Sequence, residues 1–340
     1  MIITVTPNPA WDVTYEVPAL VPGEVHRVTR VHRRLGGKGV NVARVLAVTG
    51  RDAVAVIPGP AGLAAEAGLD APGGRPGRAP VAQAGGRRLV CDVVPVLPIL
   101  RQTLVVQGAD GTTTSLWEPG VAPDPDAGRA LTARVRAWLR PDGPVSEPGT
   151  AAEPGPAAGA AGIVISGSLP PGLDPRFHAR LAALALEAGV PAVVDTSGAA
   201  LAHAATVPGV VLAPNAAELA QLTGRACDDP AEALDVARAL LADGPAAVVV
   251  TLGGAGLAAV TRDGTWHGRL TEPLAGNPTG AGDAAAAGLI AGLAAGAGWP
   301  GIVRDAVALS AAAVLSPVAG EVDPADVAGL HGQATVREVA

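Results

Sequence analysis

The sequence predicts an α/β fold in which helices cover a mostly parallel central sheet and a small antiparallel flap stands outside it. Three observations carry this. Short, almost wholly apolar, β-rich runs alternate with helical patterns, as in sheets buried on both faces. A second kind of segment alternates apolar and polar residues, the pattern of a half-buried strand. Glycine-rich loops stand just before helical patterns, where helix amides can meet an anion.

The apolar runs are residues 2–6, 162–166, 192–195, 210–213 and 247–251. The helical patterns cover 40–49, 175–187, 216–222, 231–242 and 283–295. Alternation marks 13–17 and 25–32, while 104–107 and 112–117 pair around the Asp110-Gly111 turn. Flap strands are therefore expected within about 12–35 and 92–118. An open flap edge often meets its own copy, so a homodimer through the flap is expected. Residues 141–161 are rich in Pro, Gly and Ala and read as a flexible insertion in one domain spanning 1–340. Residues 58–88 show no steady period.

Composition excludes several function classes. A net charge of -7 argues against nucleic acid as a partner, which needs a basic footprint. No polybasic membrane patch occurs, and the longest apolar stretch, 284–299, is mostly Ala and Gly and too short to span a bilayer comfortably. The opening MIITVTPNPAWD has no positive region before its first proline, unlike a secretion signal. Cys91 and Cys227 lie far apart, and the histidines lack metal-ligand spacing. A cytoplasmic location is the expectation.

Asn277-Pro-Thr-Gly-Ala-Gly-Asp283 precedes a long Ala/Gly helix. Glycines there let a ligand approach the backbone, and the first helix amides form an anion hole. Asp283 at that helix end could accept a proton from an attacking hydroxyl, although an ordinary N-cap aspartate has the same appearance. Leu35-Gly-Gly-Lys-Gly-Val-Asn41-Val-Ala-Arg44 is a second glycine loop feeding a helix. Lys38, the chain's single lysine among many arginines, supplies a point charge, and Asn41 can donate to and accept from sugar hydroxyls. Gly39 follows the lysine where a Walker loop has Ser or Thr, and no dinucleotide glycine fingerprint occurs. Asp12, just beyond the first strand, is a strand-end carboxylate placed to hold two hydroxyls.

Together these motifs resemble the ribokinase-like sugar kinases of the phosphofructokinase-B type, closest to the branch with 1-phosphofructokinase and tagatose-6-phosphate kinase. The branch's patterns are matched in order by residues 6–12 (T-x-N-P-x-x-D), 36–41 (GGKG-x-N), 166–172 (SGSLPPG), 195–198 (D-x-S-G), 215–218 (N-x-x-E), 251–256 and 280–283 (GAGD). The resemblance implies a ribokinase-like three-layer α/β/α fold, and a kinase using ATP and Mg²⁺ on a phosphorylated sugar. It implies Asp283 as base with Gly280, Ala281 and Gly282 as anion hole. Asp12, Gly37 and Asn41 would hold the sugar, with Lys38 and Arg101 on its phosphate. Asn215, Thr251, Gly253 and Gly256 would line the nucleotide, and Glu218 would organise the metal through water.

The branch's Lys-Pro-Asn is here Ala213-Pro214-Asn215, and its Gly-x-Thr before the arginine is Ile99-Leu100, which leaves Arg87 or Arg88 as alternatives to Arg101. Its glycine pair after the second core strand is Pro58-Gly59-Pro60. The implied reaction converts fructose 1-phosphate to fructose 1,6-bisphosphate. The alternatives are a tagatose-6-phosphate kinase and, in another class, a catalytically weak sugar-phosphate or nucleotide binding protein.

Overall fold

The computed structural model describes residues 1–67, 78–84, 87–140, 144–145, 153–154, 159–227, 229–242, 244–272, 274–316, 318 and 320–339. An eleven-stranded sheet forms the centre. Its parallel part runs from Arg87–Val94 through Ala53–Pro58, Ile2–Val5, Gly162–Ser166, Ala192–Asp195 and Val211–Leu212 to Ala247–Thr251. Antiparallel strands extend it at both edges: Arg78–Ala84 at one, and Leu257–Thr261, Thr265–Leu270 and Ala334–Glu338 at the other. The apolar runs became buried strands because both faces are covered. Ile3 and Val5 enter one apolar cluster with the helices Ala127–Leu139 and Phe177–Glu187. Ile2 and Val164 enter the other with Lys38–Val48, Ala281–Ala294 and Trp299–Leu315.

Helices begin close to where the sequence pattern predicts, with one shift that matters. The long Ala/Gly helix starts at Ala281, with Gly280 as its cap at φ +87°, so Asp283 is its third residue. Small residues let this helix lie close to its neighbours. A Cβ at Gly288 would come 2.8 Å from the Ala306 backbone, and one at Gly162 would press on Ile290. This apolar stretch is thus a core helix, and no helix among the described residues is long and apolar enough to cross a membrane.

The flap is a separate four-stranded sheet of Arg30–Gly36, Ala10–Val17, Arg101–Gly108 and Thr113–Trp117. Its two outer pairings are antiparallel, including the hairpin around Gly111, but its central pair, Ala10–Val17 with Arg101–Gly108, is parallel. Residues 92–94 belong to the main sheet, not the flap, and 25–29 lie outside any strand. Asp12 stands inside a flap strand rather than in a turn, paired across the ladder with Arg34. Of the proposed insertion 141–161, most lies outside the described residues; Pro144–Val145 and Glu153–Pro154 form a short antiparallel ladder. Both cysteines are buried.

Candidate active site

Parallel strands expose their carboxyl ends along one edge of the sheet, where α/β proteins usually bind ligands. Asn8, Ser168, Asp195, Asn215 and Thr251 all stand at or just beyond such ends. The flap approaches from outside, and the heads of the Lys38–Val48 and Ala281–Ala294 helices complete the cleft.

Asp283 is the centre of a hydrogen-bonded network drawn from these elements. It is 5% exposed, and Asn41 Nδ2 donates to its Oδ2 at 3.0 Å. The same amide nitrogen lies 3.4 Å from Asp12 Oδ2, while the Thr103 hydroxyl donates to Asp12 Oδ1 at 2.5 Å. Three distant segments thereby meet: flap, first helix and core helix. Gly36 must be glycine here, because a Cβ would fall onto the Asp12 carboxylate. Gly37, at φ +102° and packed against Thr6 and Pro9, turns the chain into the helix.

The helix head supplies amides. Ala281 N–H donates to the Pro278 carbonyl at 3.2 Å, and the N–H groups of Gly282 and Asp283 have no backbone or side-chain acceptor among the described residues. Asn277 Oδ1 accepts from Thr279 N–H at 3.0 Å and holds the turn that aims this end. Such unpaired amides, with the helix dipole behind them, favour an anion.

Lys38, expected on the acceptor's phosphate, stands between two carboxylates. Its ammonium donates to Asp195 Oδ1 at 2.7 Å and lies 4.0 Å from Glu218 Oε1. Burial would lower its pKa, but Asp195, Glu218 and Asp283 outweigh that and hold it above an ordinary lysine. Glu218 and Asn215 form a reciprocal cap on the Ala216–Thr223 helix: Asn215 Oδ1 accepts from Glu218 N–H and the Glu218 carboxylate accepts from Asn215 N–H. Burial, then Asp195, raises the Glu218 pKa against the pull of Lys38 and that amide.

Arg101 spends its donors on backbone, Nε on Asn8 O at 3.3 Å and Nη1 on Glu118 O at 2.9 Å. The alternatives Arg87 and Arg88 lie outside the residues whose side chains are described. Thr251 ends its strand beside Asn215, and Gly253 begins a short turn after it. Gly256 serves packing, since a Cβ there would fall onto the Gly268 carbonyl. The structure thus joins Asp12, Lys38, Asn41, Asp195, Glu218 and Asp283 into one polar cluster, with Asn215, Thr251 and Gly253 beside it. The roles sequence reasoning left unassigned fall to Asp195, Thr103 and Arg44. Asp195 and Arg44 stood inside quoted motifs, whereas Thr103 had no signal beyond its flap position.

Burial pushes the Asp283 carboxyl up to about 7; Asp195 and Asp12 add to the rise, while Lys38 and the Asn41 bond oppose it. Its folded-state pKa therefore exceeds the unfolded value of about 4, so folding takes up a proton between those pH values. The ionised carboxylate costs stability progressively as pH rises through that window, and fully above it.

A family model described as "pfkB family carbohydrate kinase" matches residues 155–326. A protein named 1-phosphofructokinase from Xanthomonas campestris pv. campestris is 35% identical over 298 residues, covering 86% of this chain and 83% of its own. Phosphofructokinase-2 from Escherichia coli, solved with potassium, superposes with a TM-score of 0.78 at 26% identity, over 97% of this chain and 98% of its own. That protein is also solved in a tetrameric inhibited form. Arabidopsis thaliana ribokinase, with ribose and ATP, shares the fold at a TM-score of 0.67 and 18% identity, over 97% and 98% of the two chains.

The buried carboxylate yields a prediction that does not depend on any substrate. Asp283→Asn, which keeps the shape and removes the charge, is expected to melt about 2 °C or more above wild type at pH 8. The gap should close as pH falls toward 4. Scanning calorimetry at both pH values checks this; equal melting points at pH 8 would contradict the buried-charge account. A helix-head carboxylate at unpaired amides, on this fold and with these relatives, places the chain in the pfkB family of carbohydrate kinases, with the ribokinase-like fold.

Proposed function

We propose that this kinase transfers the γ-phosphoryl group of ATP to a hydroxyl of a phosphorylated hexose, converting fructose 1-phosphate to fructose 1,6-bisphosphate. The observation that carries the reading is the Asp283 carboxyl, buried beside unpaired helix amides and bridged by Asn41 to Asp12. The relative named 1-phosphofructokinase supports the choice of acceptor. Asp283 takes the proton from the attacking hydroxyl as the new P–O bond forms and the bond to the ADP oxygen breaks. Amides of the Gly280–Gly282 turn and of Asp283 stabilise charge on the group in transit. Asp12, Gly37 and Asn41 hold the acceptor's hydroxyls, with Thr103 fixing the Asp12 carboxylate.

Lys38 and Arg101 are assigned to the phosphate the acceptor already carries; Lys38 would leave Asp195 to reach it. Asn215, Thr251, Gly253 and Gly256 line the nucleotide side. Magnesium fits the carboxylate oxygens of Asp195 and Glu218, held through its water shell. Lys38 already marks that pair as a cation position, and Mg²⁺ usually needs only one or two protein carboxylates beside substrate phosphates. No larger cluster of metal-ligating side chains occurs among the described residues. Bound there, the metal would neutralise the nucleotide's phosphates.

We assign residues 1–340 to one domain, located in the cytoplasm. Its flap would pair with the flap of a second copy, because Val25, Val31, Leu116 and Trp117 are 97%, 57%, 58% and 67% exposed. The second acceptor reading is tagatose 6-phosphate. A weakly catalytic binding protein is the reading from another class, favoured by Ala213 where the family has a lysine.

An ADP-release assay with fructose 1-phosphate, tagatose 6-phosphate, fructose 6-phosphate and fructose decides among these. Fructose 1-phosphate should give the highest kcat/KM, and activity should fall about tenfold per pH unit below about 7. Asp283→Asn should lose about 10²–10⁴-fold in kcat; turnover independent of Asp283 would refute the base. Lys38→Met should raise the acceptor KM about 10-fold or more, and an unchanged KM would remove Lys38 from the acceptor phosphate. Sedimentation should give about twice the 33.3 kDa chain mass. Paired Leu116→Asp and Trp117→Asp substitutions should halve it; a wild-type monomer would dismiss the flap interface.

A further inference from the structure

Arg44 carries a full charge in a buried position, which is costly unless paired. It is 8% exposed and sits on the helix Lys38–Val48 among Val40, Val45 and Leu46, where an apolar side chain would suit the packing. Its Nη1 donates to Asn41 Oδ1 at 2.7 Å, and its Nη2 donates to the Leu35 carbonyl at 2.8 Å. Leu35 is the last residue but one of the flap strand Arg30–Gly36.

A guanidinium has donors and no acceptor. The oxygen of the Asn41 carboxamide must therefore face Arg44, and its NH₂ must face the opposite way, toward Asp283 and Asp12. Asn41 alone could turn either end toward the carboxylates. Paired with Arg44 it has one orientation, the one that donates to an ionised base.

We infer that Arg44 is a positioning residue for the transfer reaction: it locks the Asn41 amide as a donor to Asp283 and couples that orientation to the root of the flap. This rests on the proposal that Asp283 is the base. The charged groups around that base and Arg44 are Asp12 and Arg34 on the flap strands, Lys38 and Arg44 on the first helix, Asp195 at its strand end, and Glu321, which faces Arg34 and Arg44. Cys91, near Arg44, is a neutral buried thiol and supplies no countercharge. Without Arg44 the amide can turn and accept the proton of a protonated Asp283. Both that turn and the loss of the guanidinium favour the acid form. The base then ionises at higher pH.

The test uses full-length Arg44→Met and Arg44→Lys beside wild type and Asp283→Asn, with melting curves to verify folding. Arg44→Met is expected to lower kcat about 10–100-fold, leave the KM for MgATP unchanged, and move the acid limb of the pH–rate profile up by about one unit. Arg44→Lys, with a charge and fewer directed donors, should fall between. A folded Arg44→Met with the wild-type acid limb overturns the inference. If that variant does not fold, Arg44→Lys decides: an upward limb supports the role and an unchanged limb with wild-type kcat overturns it. Should Asp283→Asn retain turnover, the base assignment itself fails, an outcome separate from an inactive Asp283→Asn beside a silent Arg44 variant.

Discussion

Keeping a carboxylate out of water at the head of a helix is the constraint on which the rest of this structure depends. Desolvation alone favours the protonated form. The neighbouring Asp12 and Asp195 deepen the penalty, while Lys38 and the Asn41 amide relieve it. That balance leaves Asp283 able to exchange a proton near neutral pH, which a surface aspartate cannot do. The helix that carries it pays in side-chain size. Its Ala and Gly residues allow the backbone to press against the strands and against the helix Trp299–Leu315, so the carboxyl is withdrawn from solvent while the first amides stay at the cleft.

How much of this was legible in the sequence follows from the range of the interactions. Strands Gly162–Ser166, Ala192–Asp195 and Ala247–Thr251 were read to the residue, because burial on both faces leaves a local apolar signature. The flap hairpin was legible from the Asp110-Gly111 turn, but the parallel pairing of Ala10–Val17 with Arg101–Gly108 was not, since no local pattern records which strand lies alongside. Asp12 read as a carboxylate just beyond the end of the first strand, and pairing with Arg34 places it inside the next one. The motif glycines announced where ligands could approach.

Partnerships were the hidden part. Lys38 and Asp195 are 157 positions apart, and Asn41 and Asp283 are 242 apart. Each motif residue was visible singly, yet no spacing rule tells which cation meets which carboxylate. Arg44 was the least legible, being an arginine on an otherwise apolar helix face, whose purpose appears only once Asn41 and Leu35 are seen on either side of it.

The links that dock the flap are of two kinds. Arg33 pairs with Glu66 at 3.1 Å, both half-exposed, and such a pair contributes about 0–1 kcal/mol; Arg34 pairs with Glu321 at 2.6 Å with its own side chain only 17% exposed. Asp12 reaches Asn41 at only 3.4 Å, a long bond. Arg44 to Leu35 is a short, fully buried bond between the first helix and the root of the flap. The flap is thus tied most firmly at its base, through the residue that also holds the Asn41 amide toward Asp283.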